Sequence, residues 1–495
     1  MSFGRLKTLI NDILYYGVAN ILYTLVQLIT MPLVIRNMEM AEVANWNILL
    51  LTGIILAAFT TFGMDSAIVR FLIDKDEPQK KIIYSMGLYF VTGLSVILGL
   101  TLWVFAEQTS DLINFSSEYL SSYWILICWL PGVILSQYSL NWLKYSFQRS
   151  RFVTVIALQS STYLAVILYL KYFDKINLLS VMLASLASIW ISALLGLIFT
   201  FKMIVPKIDI YKLGLLLRYG TPFMILAFGF NLIFSIDKYI LIRYSSQEYF
   251  AIYSQAFRIA AIFSMIVSSF NFAFGPFSLS LLDKEGATES FSYLRTVYLL
   301  FISFAGLGFM SISEILIILL AGKSYAEGHI YVPFFVLGYI LYGLYSFAQL
   351  GIIRSKKSYL SLYVLSFGIL VVIGIDILLV PHIKGFGAAI GFVLGNLTMV
   401  ISANYVSSRY DKDSLNNIKD LFLLFIFICI GFVMSLISVI GNIYFEAVLK
   451  LTFCIFIFIF TLSARIPFLE TEGKILKQGF AKLMKYKSKN STSNV

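Results

Sequence analysis

About fourteen apolar runs follow one another along this chain with only short polar breaks between them, each near the 20 or so residues a helix needs to cross a bilayer's hydrocarbon core. Dividing them at charge and turn clusters gives spans near 10–35, 44–70, 82–106, 119–143, 152–171, 177–201, 219–242, 248–274, 292–320, 329–353, 358–380, 385–407, 420–441 and 445–463. Of the 495 residues 59% are hydrophobic and only 13% charged, too little charge to coat a water-soluble domain, so lipid is the solvent for most of this fold. In lipid each backbone N–H and C=O must be satisfied within its own segment, which makes runs of this length helices and the expected fold class an all-α polytopic membrane protein. The first run lacks a small-residue cleavage site and reads as an uncleaved span.

Loop charge tests the count independently. With the N-terminus cytoplasmic, both ends and the even-numbered loops should hold the lysines and arginines. Arg5 and Lys7, Lys75, Lys80 and Lys81, Lys144, Arg149 and Arg151, Lys202, Lys207 and Lys212, and Arg354, Lys356 and Lys357 all fall there. The loop 107–118, expected outside, holds Glu107, Asp111 and Glu118 and no basic residue. Moving the count by one would invert half of this pattern. The bias accounts for most of the net charge of +11, so no nucleic-acid partner is needed to explain it. Both termini are therefore expected in the cytoplasm, with residues 466–495 as a basic tail.

A weak internal repeat orders the spans. Leu14-Tyr15-Tyr16-Gly17 opens the first span and Leu217-Arg218-Tyr219-Gly220 the seventh; Glu42 precedes the second and Glu248 the eighth; Phe62-Gly63 recurs as Phe274-Gly275. Copies separated by six helices share one orientation, as in parallel-repeat transporters. The expected domains are an N-lobe of spans 1–6 (1–206), a C-lobe of spans 7–12 (207–412), spans 13–14 (413–465) and the tail, with the stretch Lys202–Arg218 as linker.

Chemistry-bearing residues are few. His329, His382, Cys128, Cys429 and Cys454 are too scattered for a metal site, the cysteines read as apolar filler, and no phosphate-binding glycine loop or nucleophile elbow occurs. No catalytic residue and no cofactor are expected. Charge inside the membrane is the informative signal, since each such group costs about 2.5–3.5 kcal/mol on insertion scales. Arg258 lies ten residues beyond Glu248, roughly 15 Å down its helix and near the midplane, with Ser254, Ala261 and Ser268 on its face. An arginine there either lines a cavity for an anionic substrate or pairs structurally with a neighbouring helix. Asp237 and Lys238, near the outer end of span seven, are with Arg258 and Ser254 the substrate-cavity candidates, although Lys238 can instead snorkel to the interface and Asp237 can pair with it. Asp65 and Arg70, near the inner end of span two, and Arg218 are gate or interface candidates. Asp376, within span eleven, is an ion-coupling candidate with no nameable partner, and coupling to H+ or Na+ is left open.

As an ordered set, several segments resemble one family. These are Leu217-Arg218-Tyr219-Gly220-Thr221-Pro222, Asp237-Lys238-Tyr239-Ile240-Leu241, Ala251-Ile252-Tyr253-Ser254 with Arg258-Ile259, Leu319-Leu320-Ala321-Gly322-Lys323-Ser324-Tyr325, and Val380-Pro381 followed by Gly385-Phe386-Gly387-Ala388-Ala389-Ile390-Gly391. The chain resembles, over nearly its whole length, the polysaccharide-biosynthesis flippases (O-antigen and capsule repeat-unit translocases) of the multidrug/oligosaccharidyl-lipid/polysaccharide exporter superfamily. That resemblance implies MATE-like six-helix lobes around a cavity that opens alternately to either face of a bacterial inner membrane. It also implies an undecaprenyl-diphosphate-linked oligosaccharide as substrate and, as partners, the polymerase and glycosyltransferases of the same pathway. Arg258 then falls where the family has cationic cavity residues. The chain departs from the peptidoglycan-precursor branch in having only Arg36 in span one and Arg70 in span two, both at span ends, and it has Asp376 where Asn is expected.

The alternative is a multidrug or cation antiporter of the MATE type, which uses cavity acids and usually twelve spans. A major-facilitator transporter would need a glycine-rich basic loop where Asp74-Lys75-Asp76-Glu77-Pro78-Gln79-Lys80-Lys81 stands. A membrane-embedded glycosyltransferase or polymerase would need a long outer loop, and none is present.

Overall fold

The computed structural model describes residues 19, 21–72, 76–282, 287–355, 357, 359–410, 446–452 and 454. Among the described residues the regular structure is entirely helical, and eleven helices are long and apolar enough to cross a membrane. The chain is therefore an all-α, multi-pass membrane protein, as its apolar runs require. The helices are α1 (Ile21–Ile35), α2 (Met40–Thr61), α3 (Met64–Leu72), α4 (Glu77–Val104), α5 (Ala106–Leu112), α6 (Leu120–Tyr145), α7 (Arg149–Tyr172) and α8 (Leu178–Thr200). There follow α9 (Ile210–Ile233), α10 (Ile236–Tyr244), α11 (Gln247–Leu281), α12 (Ala287–Leu320), α13 (Val332–Ala348), α14 (Leu350–Ser355), α15 (Tyr359–Ile383) and α16 (Gly385–Ser408). The expected thirteenth span, most of the fourteenth, the tail and the repeat copy Leu14–Gly17 lie outside the described residues.

Three expected spans are broken rather than continuous. Span two divides into α2 and α3 at Phe62 and Gly63, whose φ angles of 50° and 64° are left-handed. Span seven divides into α9 and α10, and span ten into α13 and α14. The repeated Phe-Gly pair behaves differently in its two settings. At Phe274-Gly275 the helix α11 continues unbroken, with Phe274 packed on Phe270, Phe291 and Phe347. Open space surrounds Gly275, whereas Gly63 is met by another backbone.

Contacts divide the chain into two compact units, residues 1–254 with 320–322 and residues 255–319 with 323–495. In the first, small residues let α4, α6 and α8 approach closely, the packing expected where lipid removes any hydrophobic drive between helices. Ser136 and Ser192 share a hydrogen bond of 2.6 Å, Gly196 lies against Ser139, and Gly132 lies against Ile189 and Trp190. Tyr138 donates to the carbonyl of Tyr84 at 2.7 Å. Glu42 serves two helix starts, accepting from the backbone N–H of Glu39 at 3.2 Å and of Leu178, the first residue of α8, at 2.9 Å.

The linker between α8 and α9 is pinned to α4. Ser85 donates to the carbonyl of Met203 at 3.0 Å and accepts from the N–H of Val205 at 2.8 Å, and Tyr89 donates to the carbonyl of Val205. Asp209 then caps α9 by accepting from the Lys212 N–H at 3.1 Å, a bond that holds its carboxyl below the usual carboxylate range.

The second unit is seamed by a glycine stripe. Gly387, Gly391 and Gly395 of α16 recur every fourth residue and meet Leu379 and Val380, Asp376, and Val372 with Gly368 of α15. At these positions α16 has no room for a side chain of its own. Gly391→Ala would drive its Cβ into Asp376, and overpacking of this kind costs about 1–3 kcal/mol. Gly374→Ala, on the open face of α15, should instead gain roughly 0.5–1 kcal/mol from helix propensity. Thermal unfolding of the two variants in one detergent compares them, with Gly391→Ala below the parent and Gly374→Ala at or above it.

Candidate functional site

The best-defined charged cluster forms where α9 gives way to α10. The break at Phe234 and Ser235 frees helix-end carbonyls inside the apolar bundle, where an unsatisfied polar group is expensive. Lys238 fills that need by donating to the Phe234 carbonyl at 2.9 Å. Its ammonium also meets both carboxylate oxygens of Asp237, at 3.0 and 3.1 Å. Tyr253 of α11 donates to Asp237 Oδ2 at 2.8 Å, with Lys238 5.9 Å over its ring. All three side chains are buried, Asp237 and Tyr253 to 0% exposure and Lys238 to 1%. The expected snorkelling of Lys238 to an interface is thus corrected. Its ammonium goes to the helix break and to Asp237 because those acceptors are immediately at hand. A buried pair of this kind is held chiefly by the penalty for separating it.

Arg258 is half-buried on α11, one helical turn beyond Ser254, which is 4% exposed. Asp376 is fully buried on α15, facing Gly391. The gate candidates lie where α3 meets α9. Asp65 is half-buried, while Arg70 and Arg218 are exposed. Five residues apart on α3, Asp65 and Arg70 point about 140° away from each other around the helix, which is unsuited to an ion pair. The helices meet here by an aromatic contact, between Phe71 and Tyr219 with ring centroids 5.7 Å apart, beside a close backbone approach of Gly63 to Gly220. Among the described residues no cluster of three or more histidine, cysteine or acidic side chains could hold a metal ion.

The sequence reading passed over two buried polar groups. Arg295, near the start of α12, is 5% exposed and was hidden by its place at the edge of an apolar run. Gln255 has 0% exposure, and neither amide atom has a hydrogen-bond partner. A neutral amide gives no charge signal in a hydropathy profile.

A family model described as polysaccharide biosynthesis protein matches residues 9–282, more than half of the chain. The chain belongs to this family. No curated protein matches it. Among solved structures, the chain is similar to the lipid II flippase MurJ in an inward closed conformation, at a TM-score of 0.68 and 15% identity, covering 90% of this chain and 98% of that one. It is also similar to a multidrug resistance MATE family transporter of the MOP superfamily, facing inward, at a TM-score of 0.62 and 16% identity over 78% of this chain and 93% of that one. A MOP superfamily transporter from Pyrococcus furiosus aligns at 0.55 and 16% identity, with 80% and 93% covered. At such identities these likenesses show the fold, which is that of the MATE and MurJ transporters.

The family member's buried pair makes a direct prediction. Lys238→Met leaves the Asp237 carboxylate buried without its cation and should destabilise by about 3–5 kcal/mol, and the double variant with Asp237→Asn should recover part of the loss. Thermal melts of the two single variants and the double give the coupling, and strictly additive losses would show that the pair is not a unit.

Proposed function

We infer that this protein is a flippase that moves undecaprenyl-diphosphate-linked oligosaccharide repeat units from the cytoplasmic to the outer leaflet of a bacterial inner membrane, for assembly of a surface polysaccharide such as O-antigen or capsule. The family match carries the reading. It is supported by a fold shared with a lipid II flippase and by an arginine partway along a membrane-spanning helix. On this reading both termini are cytoplasmic, 1–206 and 207–412 form the two lobes, and spans 13 and 14 complete the fold.

The physical barrier to flipping is the diphosphate, because an ion is poorly solvated by hydrocarbon. The prenyl tail can stay in lipid throughout. Arg258 lowers that barrier by offering a guanidinium fork matched to phosphate oxygens, while Ser254 adds a hydroxyl on the same face. Asp237 and Lys238 hold the break in span seven rather than meeting substrate, since each is occupied by the other. Asp376 remains the ion-coupling candidate, with H+ or Na+ as the ion. No covalent chemistry and no cofactor enter this mechanism.

The MATE-type antiporter reading needs a cavity carboxylate for a cationic drug. Asp237, the acid in span seven, is already engaged by Lys238 and Tyr253, which favours the flippase.

Cells lacking the protein should accumulate lipid-linked glycan while surface polymer disappears, both read by mass spectrometry and surface staining. Arg258→Ala should fail to restore export at normal expression, and Arg258→Lys should restore part of it, because charge survives without the fork. Full export by the Ala variant would remove Arg258 from the mechanism. An unchanged lipid pool with new sensitivity to cationic drugs would favour the antiporter.

A further inference from the structure

Two helices that touch near the candidate gate residues are both weakened where they touch. Span two is broken by the left-handed Phe62 and Gly63, and α3 restarts from Gly63, whose carbonyl accepts from the Ala67 N–H at 3.0 Å. In α9 the proline at 222 removes the N–H that the Arg218 carbonyl would otherwise receive, and its ring crowds that carbonyl. Gly220 sits inside this loosened turn. A Cβ on Gly220 would lie 2.7 Å from the Phe62 carbonyl oxygen and 3.3 Å from that of Gly63, and a Cβ on Gly63 would overlap the Gly220 carbonyl. The crossing is therefore backbone on backbone. Aromatic edges flank it on either side, Phe71 with Tyr219 at 5.7 Å and Phe59 with Phe228 at 6.2 Å.

A joint of this form suits parting. Close backbone approach holds such a crossing together in lipid, but parting it requires no side chain to be withdrawn from a socket on the facing helix, as interlocked large side chains would. Each of the two helices also carries a turn with weakened hydrogen bonding next to the crossing, at Gly63 and at Pro222, about which it can swing. The joint lies at the end of the bundle that the loop charges place toward the cytoplasm. Asp65 and Arg70 lie on α3 and Arg218 on α9.

We propose that the Gly63–Gly220 crossing is the cytoplasmic latch of the transport cycle, closed here and opened by α3 and the first turns of α9 swinging apart about Gly63 and Pro222. The latch rests on the flippase reading for its role in export, but its opening and closing are measurable without any substrate. The charged residues of this region then face headgroups and water, and the glycines form the seal.

The test uses the full-length protein with Cys128, Cys429 and Cys454 replaced by serine. Phe71→Cys and Tyr219→Cys are bridged with a short, reducible bifunctional thiol reagent. A separate reporter, Thr221→Cys, is labelled from the cytoplasmic side with a membrane-impermeant maleimide before or after an equivalent bridge made by a non-thiol photocrosslinker at positions 71 and 219. Bridging should abolish Thr221→Cys labelling, and it should abolish export until the reductant restores it. Gly220→Ala, which wedges the crossing open, should speed labelling even where the protein's thermal midpoint is little changed. Unchanged labelling and export with the bridge in place would overturn the latch, since helices that never part cannot gate. Labelling that responds to the bridge in cells showing no lipid-linked glycan phenotype would uphold the latch and overturn the flippase reading instead.

Discussion

Helices in lipid are not driven together by apolar burial, because hydrocarbon tails are as good a partner as leucine. What holds such a bundle is how closely backbones can approach, and the closest approaches in this protein occur at glycine and serine. Gly387, Gly391 and Gly395 admit α15 to α16, Gly196 and Ser136 join α6 and α8, and Gly63 meets Gly220. Large aromatic side chains fill the space around these contacts, as Phe270, Phe274, Tyr298 and Phe347 do in the second unit. Where the backbone itself breaks, as at Phe234, a buried lysine satisfies the freed carbonyl, and that lysine in turn requires Asp237.

This hierarchy separates what can be read from the chain alone from what cannot. Helix positions follow from apolar length, because nothing but a helix satisfies a 20-residue backbone in lipid. Thus α4, α7, α8, α15 and α16 lie within a few residues of their expected spans. Breaks are less visible. Phe62-Gly63 and Phe274-Gly275 are the same dipeptide, yet only the first interrupts its helix, because there a second backbone presses on the glycine. Gly387 and Gly391 of the stripe lie in the segment Gly385–Gly391 quoted for its family resemblance, but which helix the stripe faces is a property of the tertiary fold.

The site was legible by charge and illegible by neutrality. Arg258, Asp237, Lys238 and Asp376 stand out in any apolar span. Their surroundings do not: that Lys238 turns inward to a carbonyl four residues back depends on a helix break that apolar length alone does not reveal. Gln255 and Arg295 were missed for opposite reasons, one for having no charge and the other for lying at the margin of its run.

Translocation of a lipid-linked glycan is measurable with purified protein in sealed vesicles. Undecaprenyl-diphosphate-linked oligosaccharide is incorporated in both leaflets, and the fraction reached by an added, membrane-impermeant glycosidase is followed over time. The parent protein should carry the inner pool to the enzyme, so cleavage proceeds to completion, whereas Arg258→Ala vesicles should stop at the outer pool. Cleavage that halts at the outer pool with the parent protein present and correctly folded would contradict translocation.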